Sequence, residues 1–295
     1  MASERVPNRY PLSIVSPEGH SELENLDFFD GNRPAHFPSP AEVRENPVLR
    51  KTLGSIATKF DSLNIIVKYG VDIAASEAYC LRALQLLPEV PVPKVYGWCE
   101  EGGEVFIYME LIQGVTLESQ WEVLSPEARK EVCTQLRTIV EALRKVQQDP
   151  NDQFLGRIDR KPLLDTVLTG GKKPPAGPFN TVKEFHDWLS AVVLKDKAPE
   201  ATDPIREHLP DDSKVVFTHA DLHRSNIMVS ADGSGQVLAI IDWHQSGWYP
   251  NYWEYCKALY TAWYGEEWAM EYIPQFVDPV DFYDWWEWYP HAFGY

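Results

Sequence analysis

Apolar and polar positions fall into regular patterns only after about Asn46; the preceding stretch is polar and broken by Pro7, Pro11, Pro17, Pro34, Pro38 and Pro40. Residues 1–46 therefore read as an extended, loosely attached N-terminal extension. From Ser55 to Tyr69 the alternation predicts two strands joined at Asp61-Ser62, the second starting at Leu63 and ended by Gly70. A helical period then runs from Ile73 to Leu87 and stops at Pro88. Two further strands, from Lys94 to Trp98 and from Val105 to Leu111, flank a Gly102-Gly103 turn. Residues 47–112 are thus expected to form a small β-rich unit with one helix.

Beyond Gly114 the pattern turns to long helices. Ser125 as N-cap and Pro126 at the first helical position start a helix that reaches about Gln148. Gly170-Gly171 and Pro174-Pro175 mark a loop before a second helix, Thr181 to Leu194. Two short strands, Ile227 to Ser230 and Gln236 to Ile241, are joined by the turn-forming run Ala231-Asp232-Gly233-Ser234-Gly235. From Pro250 the chain reads as helical and rich in tryptophan and tyrosine, so residues 113–295 form a larger, mainly helical unit of an α+β protein.

Composition narrows the function classes. With 44% hydrophobic and 24% charged residues the chain is globular. Forty-four acids against 27 bases give a formal charge of −17, which opposes nucleic acid and anionic lipid as partners. Cys80, Cys99, Cys133 and Cys256 lie far apart, without a C-x-x-C pair or histidines at zinc-ligand spacing, and read as reduced thiols. The N-terminus lacks the apolar core of a signal peptide and no run approaches the roughly 18 apolar residues of a membrane span, so a cytoplasmic location is expected. The oligomeric state is left open.

The chemistry-bearing residues cluster late. Phe217-Thr218-His219-Ala220-Asp221 leads to Asn226, five residues beyond the aspartate and just ahead of a strand. Asp242 closes the apolar strand Val237-Leu238-Ala239-Ile240-Ile241. A turn near Gly233 would set Ser230 across from Gln236 and Asn226 across from Ile240, so that Asp242 emerges beside Asn226. Convergent hard oxygens without sulfur suit Mg²⁺, with Asp221 nearby but free of the metal to orient a hydroxyl and accept its proton. Any one of the three could merely cap a turn; all three in this register point to a metal and phosphate site. In the β-rich unit, Glu77 lies on the stripe of Ile73, Cys80 and Leu84, and a carboxylate facing a core needs a partner. Lys68, on the preceding strand, is the candidate; the alternative is that both are solvated, as Lys and Glu usually are.

These residues, with Val92-Pro93-Lys94-Val95-Tyr96-Gly97, Met109-Glu110 and Ile241-Asp242-Trp243, resemble the aminoglycoside phosphotransferase family over roughly residues 50 to 272. The run Trp243-x3-Gly247-Trp248-Tyr249-Pro250-x-Tyr252-Trp253-Glu254 resembles its fungal-type branch. The resemblance implies a two-lobed protein-kinase-like fold, with a nucleotide-binding N-lobe at 47–112 and a catalytic C-lobe at 113–295. It implies Asp221 as catalytic base, His219 supporting the catalytic loop, and Asn226 and Asp242 as metal ligands. It further implies Lys68 on the nucleotide phosphates, positioned by Glu77, and Met109, Glu110, Leu111 and Ile112 as the interlobe hinge that reads adenine. ATP is the expected co-substrate, with GTP left open, and a small-molecule hydroxyl is the acceptor.

The chain departs from the kinase pattern in places. No G-x-G-x-x-G precedes Lys68, and only Gly54-Ser55 lies near the expected phosphate-covering turn. That gap leaves a non-catalytic nucleotide-binding module as the alternative function. No activation segment follows Asp242, which argues against a protein kinase. The acidic, aromatic C-terminal run reads as amphipathic helices with aromatics in the core; a wall for a cationic acceptor is the other reading. Aminoglycosides, amino sugars, amino alcohols and secondary metabolites all remain compatible acceptors.

Overall fold

A computed structural model describes residues 10–11, 37–52, 54–171, 173–198, 200–263 and 265–294. Most of the N-terminal extension, residues 1–9 and 12–36, lies outside the described residues. Two lobes meet at a cleft, in the α+β layout expected. The N-lobe is a five-stranded antiparallel sheet, with spatial order Val48–Thr52, Ser55–Phe60, Ile65–Gly70, Glu104–Glu110, Val95–Glu101. The turn at Gly102-Gly103 has φ of 65° and 81°, values that glycine adopts without the clash a Cβ would bring.

Side-chain alternation sorts the two faces of this sheet. Ile65, Val67 and Tyr69 join Phe106 and Tyr108 on one face; Ile107 and Met109 face the opposite way, toward the helix Ser76–Leu84. That helix is shorter than the predicted Ile73-to-Leu87 span. The first face is covered by the helix Pro40–Glu45, capped by Ser39, whose Val43 is fully buried. The arm read as loosely attached up to Asn46 therefore ends in a packed element. One apolar residue, Val43, supplies the anchor, with burial worth about 2 kcal/mol for a side chain of this size. The Ser39-Pro40 start of this helix resembles the one read at Ser125-Pro126, but six residues with one apolar anchor give no helical period in the sequence.

The C-lobe is built on the helix Pro126–Lys145, started as predicted by Ser125, whose hydroxyl accepts from the Ala128 amide at 3.2 Å. Its buried face carries Val132, Leu136, Ile139, Val140 and Leu143 at helical spacing. The strands Ile227–Val229 and Val237–Ile240 pair antiparallel, but the register differs from expectation. Ser230 does bond Gln236 (N to O 2.9 Å), yet a bulge makes Leu238 an extra residue, so Ile227 faces Ile240 and the Ile241 amide bonds the Asn226 carbonyl at 2.9 Å. Asn226 therefore lies opposite Ile241 rather than Ile240, and the next residue is Asp242. Two strands not anticipated, Val215–Thr218 and Gly247–Pro250, pair with each other and carry the chain into and out of the segment 219–246. Of the C-terminal aromatics, Trp253, Trp268, Trp286 and Tyr289 are core residues at 1% exposure each, as the amphipathic reading required. Among the described residues no helix is long and apolar enough to cross a membrane.

Candidate active site

Lys68 stands at the centre of the cleft. Its ammonium lies 2.9 and 2.8 Å from the two oxygens of Glu77 and 2.6 Å from Asp242 Oδ1. The strand Ile65–Gly70 delivers Lys68, the first turn of the helix Ser76–Leu84 delivers Glu77, and Asp242 comes from the other lobe, 174 positions away. Burial works against the ammonium, but Asp242 and Glu77 outweigh it and the Lys68 pKa is raised. Burial also opposes ionisation of Asp242, yet Lys68 holds its carboxyl well below the usual carboxylate range. Asp242 takes a left-handed backbone conformation, φ 64°, where strand gives way to a tight turn. This non-glycine strain, of order 1–3 kcal/mol, is the kind that persists where surrounding structure over-determines a functional residue.

The loop following Val215–Thr218 is held from below. Glu254, on the first turn of the helix Trp253–Tyr260, accepts the His219 amide at 2.7 Å and the Ala220 amide at 3.1 Å. Ala220 is itself left-handed, φ 64°, so the loop keeps this turn without a glycine. The His219 ring is fixed by two backbone groups of opposite sense. The Asp221 amide donates to Nδ1 at 3.1 Å, and Nε2 lies 3.0 Å from the Ile241 carbonyl. Only the neutral tautomer with hydrogen on Nε2 satisfies both, and burial agrees by lowering the His219 pKa to about 4. Asp221 is one hydrogen bond from Asn226, whose side-chain amide donates to Asp221 Oδ2 and to its carbonyl, both at 2.9 Å. Burial pushes the Asp221 carboxyl up, partly offset by the positive charge of Lys257.

A cavity of about 580 Å³ extends from this cluster between the lobes. Ser55, Lys68, Glu77, Met109, Glu110, Leu111, Ile112 and Asp242 all line it, so every residue expected to meet a nucleotide shares one cavity. Ala57 and Ile66 supply an apolar ceiling, and Met228 and Ile241 an apolar floor, which is the slot a planar ring needs. At the hinge the amides of Glu110 and Leu111 are committed to Lys94 O (2.8 Å) and Asn64 O (3.0 Å). The Ile112 amide has no protein partner among the described residues. His219, Asp221 and Asn226 do not line this cavity; they sit at its edge, where Asn226 adjoins the lining residue Ser225.

Sequence reasoning gave Glu254 no role in the site, although an acid inside the run Tyr252-Trp253-Glu254-Tyr255 was a signal of burial. It also missed Arg50 and Thr116, which line the cavity from an edge strand and a two-residue strand, and Lys59, which lines it from the interior strand Ser55–Phe60. Glu254 carries a testable consequence, because burial raises its pKa to about 7 from 4.5. Folding therefore favours its protonated form: the stabilisation is complete below pH 4.5 and declines as pH rises to about 7. Relative to Glu254→Gln, the wild-type protein should lose up to about 3 kcal/mol between pH 4.5 and 7.5, measured by urea unfolding at each pH. Parallel pH profiles for the two proteins would remove Glu254 as the titrating group.

The fold and site together define a two-lobed protein with a nucleotide-sized interlobe cavity and a carboxylate cluster at its polar end. Residues 72–288, most of the chain's 295, match the phosphotransferase enzyme family (APH), and the chain belongs to that family. Among curated proteins none matches the sequence. Solved structures that resemble it include the ternary complex of APH(2'')-IIa with streptomycin and ATP, at 15% identity and a TM-score of 0.49 over 71% of this chain and 69% of that one. Another is the ADP-bound aminoglycoside phosphotransferase APH(2'')-Ib, at 15% identity and a TM-score of 0.49 over 86% of this chain and 82% of that one.

Proposed function

We propose that this chain is an ATP-dependent kinase of small molecules, transferring the γ-phosphate to a hydroxyl with Asp221 as the general base. The observation that carries this reading is the meeting of Lys68, Glu77 and Asp242, drawn from both lobes, at the polar end of a cavity whose walls are apolar. Phosphoryl transfer depends mainly on positioning and charge stabilisation, and these side chains supply both. Glu77 fixes the Lys68 ammonium as a point charge for phosphate oxygens. Asp221, partly buried and steadied by Asn226, orients the acceptor hydroxyl and takes its proton as the oxygen attacks phosphorus. Neutral His219 holds the loop and moves no proton.

The donors left for a metal are the Asn226 side-chain oxygen and the Asp242 carboxylate, since Asn226 gives its amide hydrogens to Asp221. An oxygen-only set with a single carboxylate suits Mg²⁺, which retains waters and takes phosphate oxygens to complete its shell. Held by Asn226 and Asp242, Mg²⁺ would supply positive charge against the developing charge on the transferred phosphate. We further place the chain in the fungal-type branch on its Trp243 to Glu254 run, and in the cytoplasm, a location compatible with its four free, buried cysteines. The acceptor is an aminoglycoside, amino sugar, amino alcohol or related secondary metabolite. Incubating the purified protein with Mg²⁺, ATP and a panel of such alcohols, read by mass, tests this reading; phosphorylated product is expected from at least one. Thermal stabilisation by Mg-ATP with neither product nor ATP hydrolysis would return the chain to a nucleotide-binding module.

A further inference from the structure

The chain lacks a glycine-rich phosphate loop, and the turn in its place is pinned elsewhere. Gly54, φ 72°, lies so close to Gly70 and Asp72 that an added Cβ would sit 1.8 Å from the Asp72 carboxylate, and its carbonyl accepts the Asp72 amide at 3.1 Å. That turn is bound to the end of the strand Ile65–Gly70. The charge facing a polyphosphate must therefore come from side chains, and the cavity offers three cations against four acids: Arg50, Lys59 and Lys68 facing Asp61, Glu77, Glu110 and Asp242. Lys68 is shared between two carboxylates, and Lys59 pairs with Asp61 at 3.1 Å.

Arg50 is the least committed of the three. Its side chain is 54% exposed, and its nearest ionic contact among the described residues is a loose 3.9 Å approach to Asp242 Oδ2. Its placement is set by the sheet. A bulge between Val48 and Arg50 makes Leu49 an extra residue, so Arg50 pairs with Ala57, which in turn pairs with Lys68. Without the bulge Arg50 would fall opposite Ile56 and point to the other face of the sheet. With it, Arg50, Ala57 and Lys68 form one cross-strand row on the cavity face, the backbones of the two cationic residues two strand spacings, roughly 10 Å, apart with only a methyl group on the strand between them. Asp242 reaches toward both, at 2.6 Å from Lys68 and 3.9 Å from Arg50, which marks the gap between them as the place for negative charge.

Resting on the nucleotide reading above, we infer that Arg50 is a second phosphate-binding side chain, gripping the polyphosphate of the nucleotide from the edge strand opposite Lys68 and replacing the amides of a glycine-rich loop. A guanidinium suits this role because it grips phosphate through paired N–H donors. The contact involves the polyphosphate only, so its loss separates nucleotides by phosphate number. Calorimetric titration of wild type and Arg50→Ala with Mg-ATP and with adenosine tests it. Arg50→Ala should bind Mg-ATP about tenfold more weakly and adenosine with unchanged affinity, as a hydrogen bond to a charged group predicts. Lys183→Ala, outside the cavity on the helix Val182–Leu194, should bind both like wild type. An exposed side chain leaves folding intact, so equal melting temperatures are expected. Wild-type affinity of Arg50→Ala for Mg-ATP would overturn this inference alone, as would tighter binding, which would make Arg50 a cover over Asp242. Failure of the wild-type protein to bind Mg-ATP would overturn it together with the nucleotide reading.

Discussion

Asp221→Asn should lower kcat for phosphoryl transfer by about a thousandfold, roughly 4 kcal/mol of barrier, while leaving the affinity for Mg-ATP unchanged. The substitution keeps the shape of the side chain and an oxygen for the Asn226 amide, which in any case also bonds the Asp221 carbonyl at 2.9 Å. What disappears is a group able to take a proton. The Lys68, Glu77 and Asp242 cluster and the hinge are untouched, so nucleotide binding reports an intact site. Rate constants from product mass and Kd from calorimetry give the two readouts. Equal loss of both would mean that Asp221 braces the site rather than acting on the hydroxyl, and an unchanged kcat would remove it from the mechanism.

How much of this site could be read from the chain depended on whether each residue's environment was set locally or by distant packing. Lys68 and Glu77 were legible because their surroundings are local: a strand end and a helix stripe nine residues apart, in a unit whose alternation is strong. Asn226 and Asp242 were legible because one hairpin carries both, and the bulge at Leu238 shifted their register without separating them. A bulge has no reliable mark in sequence, and the two that matter, at Leu238 and beside Arg50, were invisible for that reason. Glu254 and Arg50 act on the site from elements whose docking is decided by the whole fold. The helix Pro40–Glu45 was hidden differently, since six residues with a single apolar anchor give no period to detect.

The largest stability effect should come from Lys257, a residue the sequence could not place because its partner Asp165 lies 92 positions away. The two side chains are 1% and 0% exposed and meet at 2.7 Å. Lys257 adds longer contacts to Gln245 Oε1 (3.3 Å) and Thr166 Oγ1 (3.4 Å), while Asp165 also accepts from the Trp253 indole at 2.8 Å and the Val167 amide at 2.9 Å. Lys257 and Glu254 are three residues apart on one helix face. Glu254 holds the loop at His219 and Ala220, and Lys257 holds Gln245 on the turn that follows Asp242, so this helix braces both halves of the candidate site. Lys257→Met keeps the apolar stem but strands the Asp165 charge in a dry interior, at a cost of about 3–5 kcal/mol. That is a large part of the roughly 5–15 kcal/mol that holds a domain together, and should lower Tm by about 10 °C. Adding Asp165→Asn removes the stranded charge while keeping an acceptor for Trp253, so the double variant should recover part of the loss despite carrying one more substitution. Scanning calorimetry of the three proteins decides it: if Lys257→Met melts with wild type, or the double variant melts below the single one, the stability of this core does not depend on pairing the Asp165 charge.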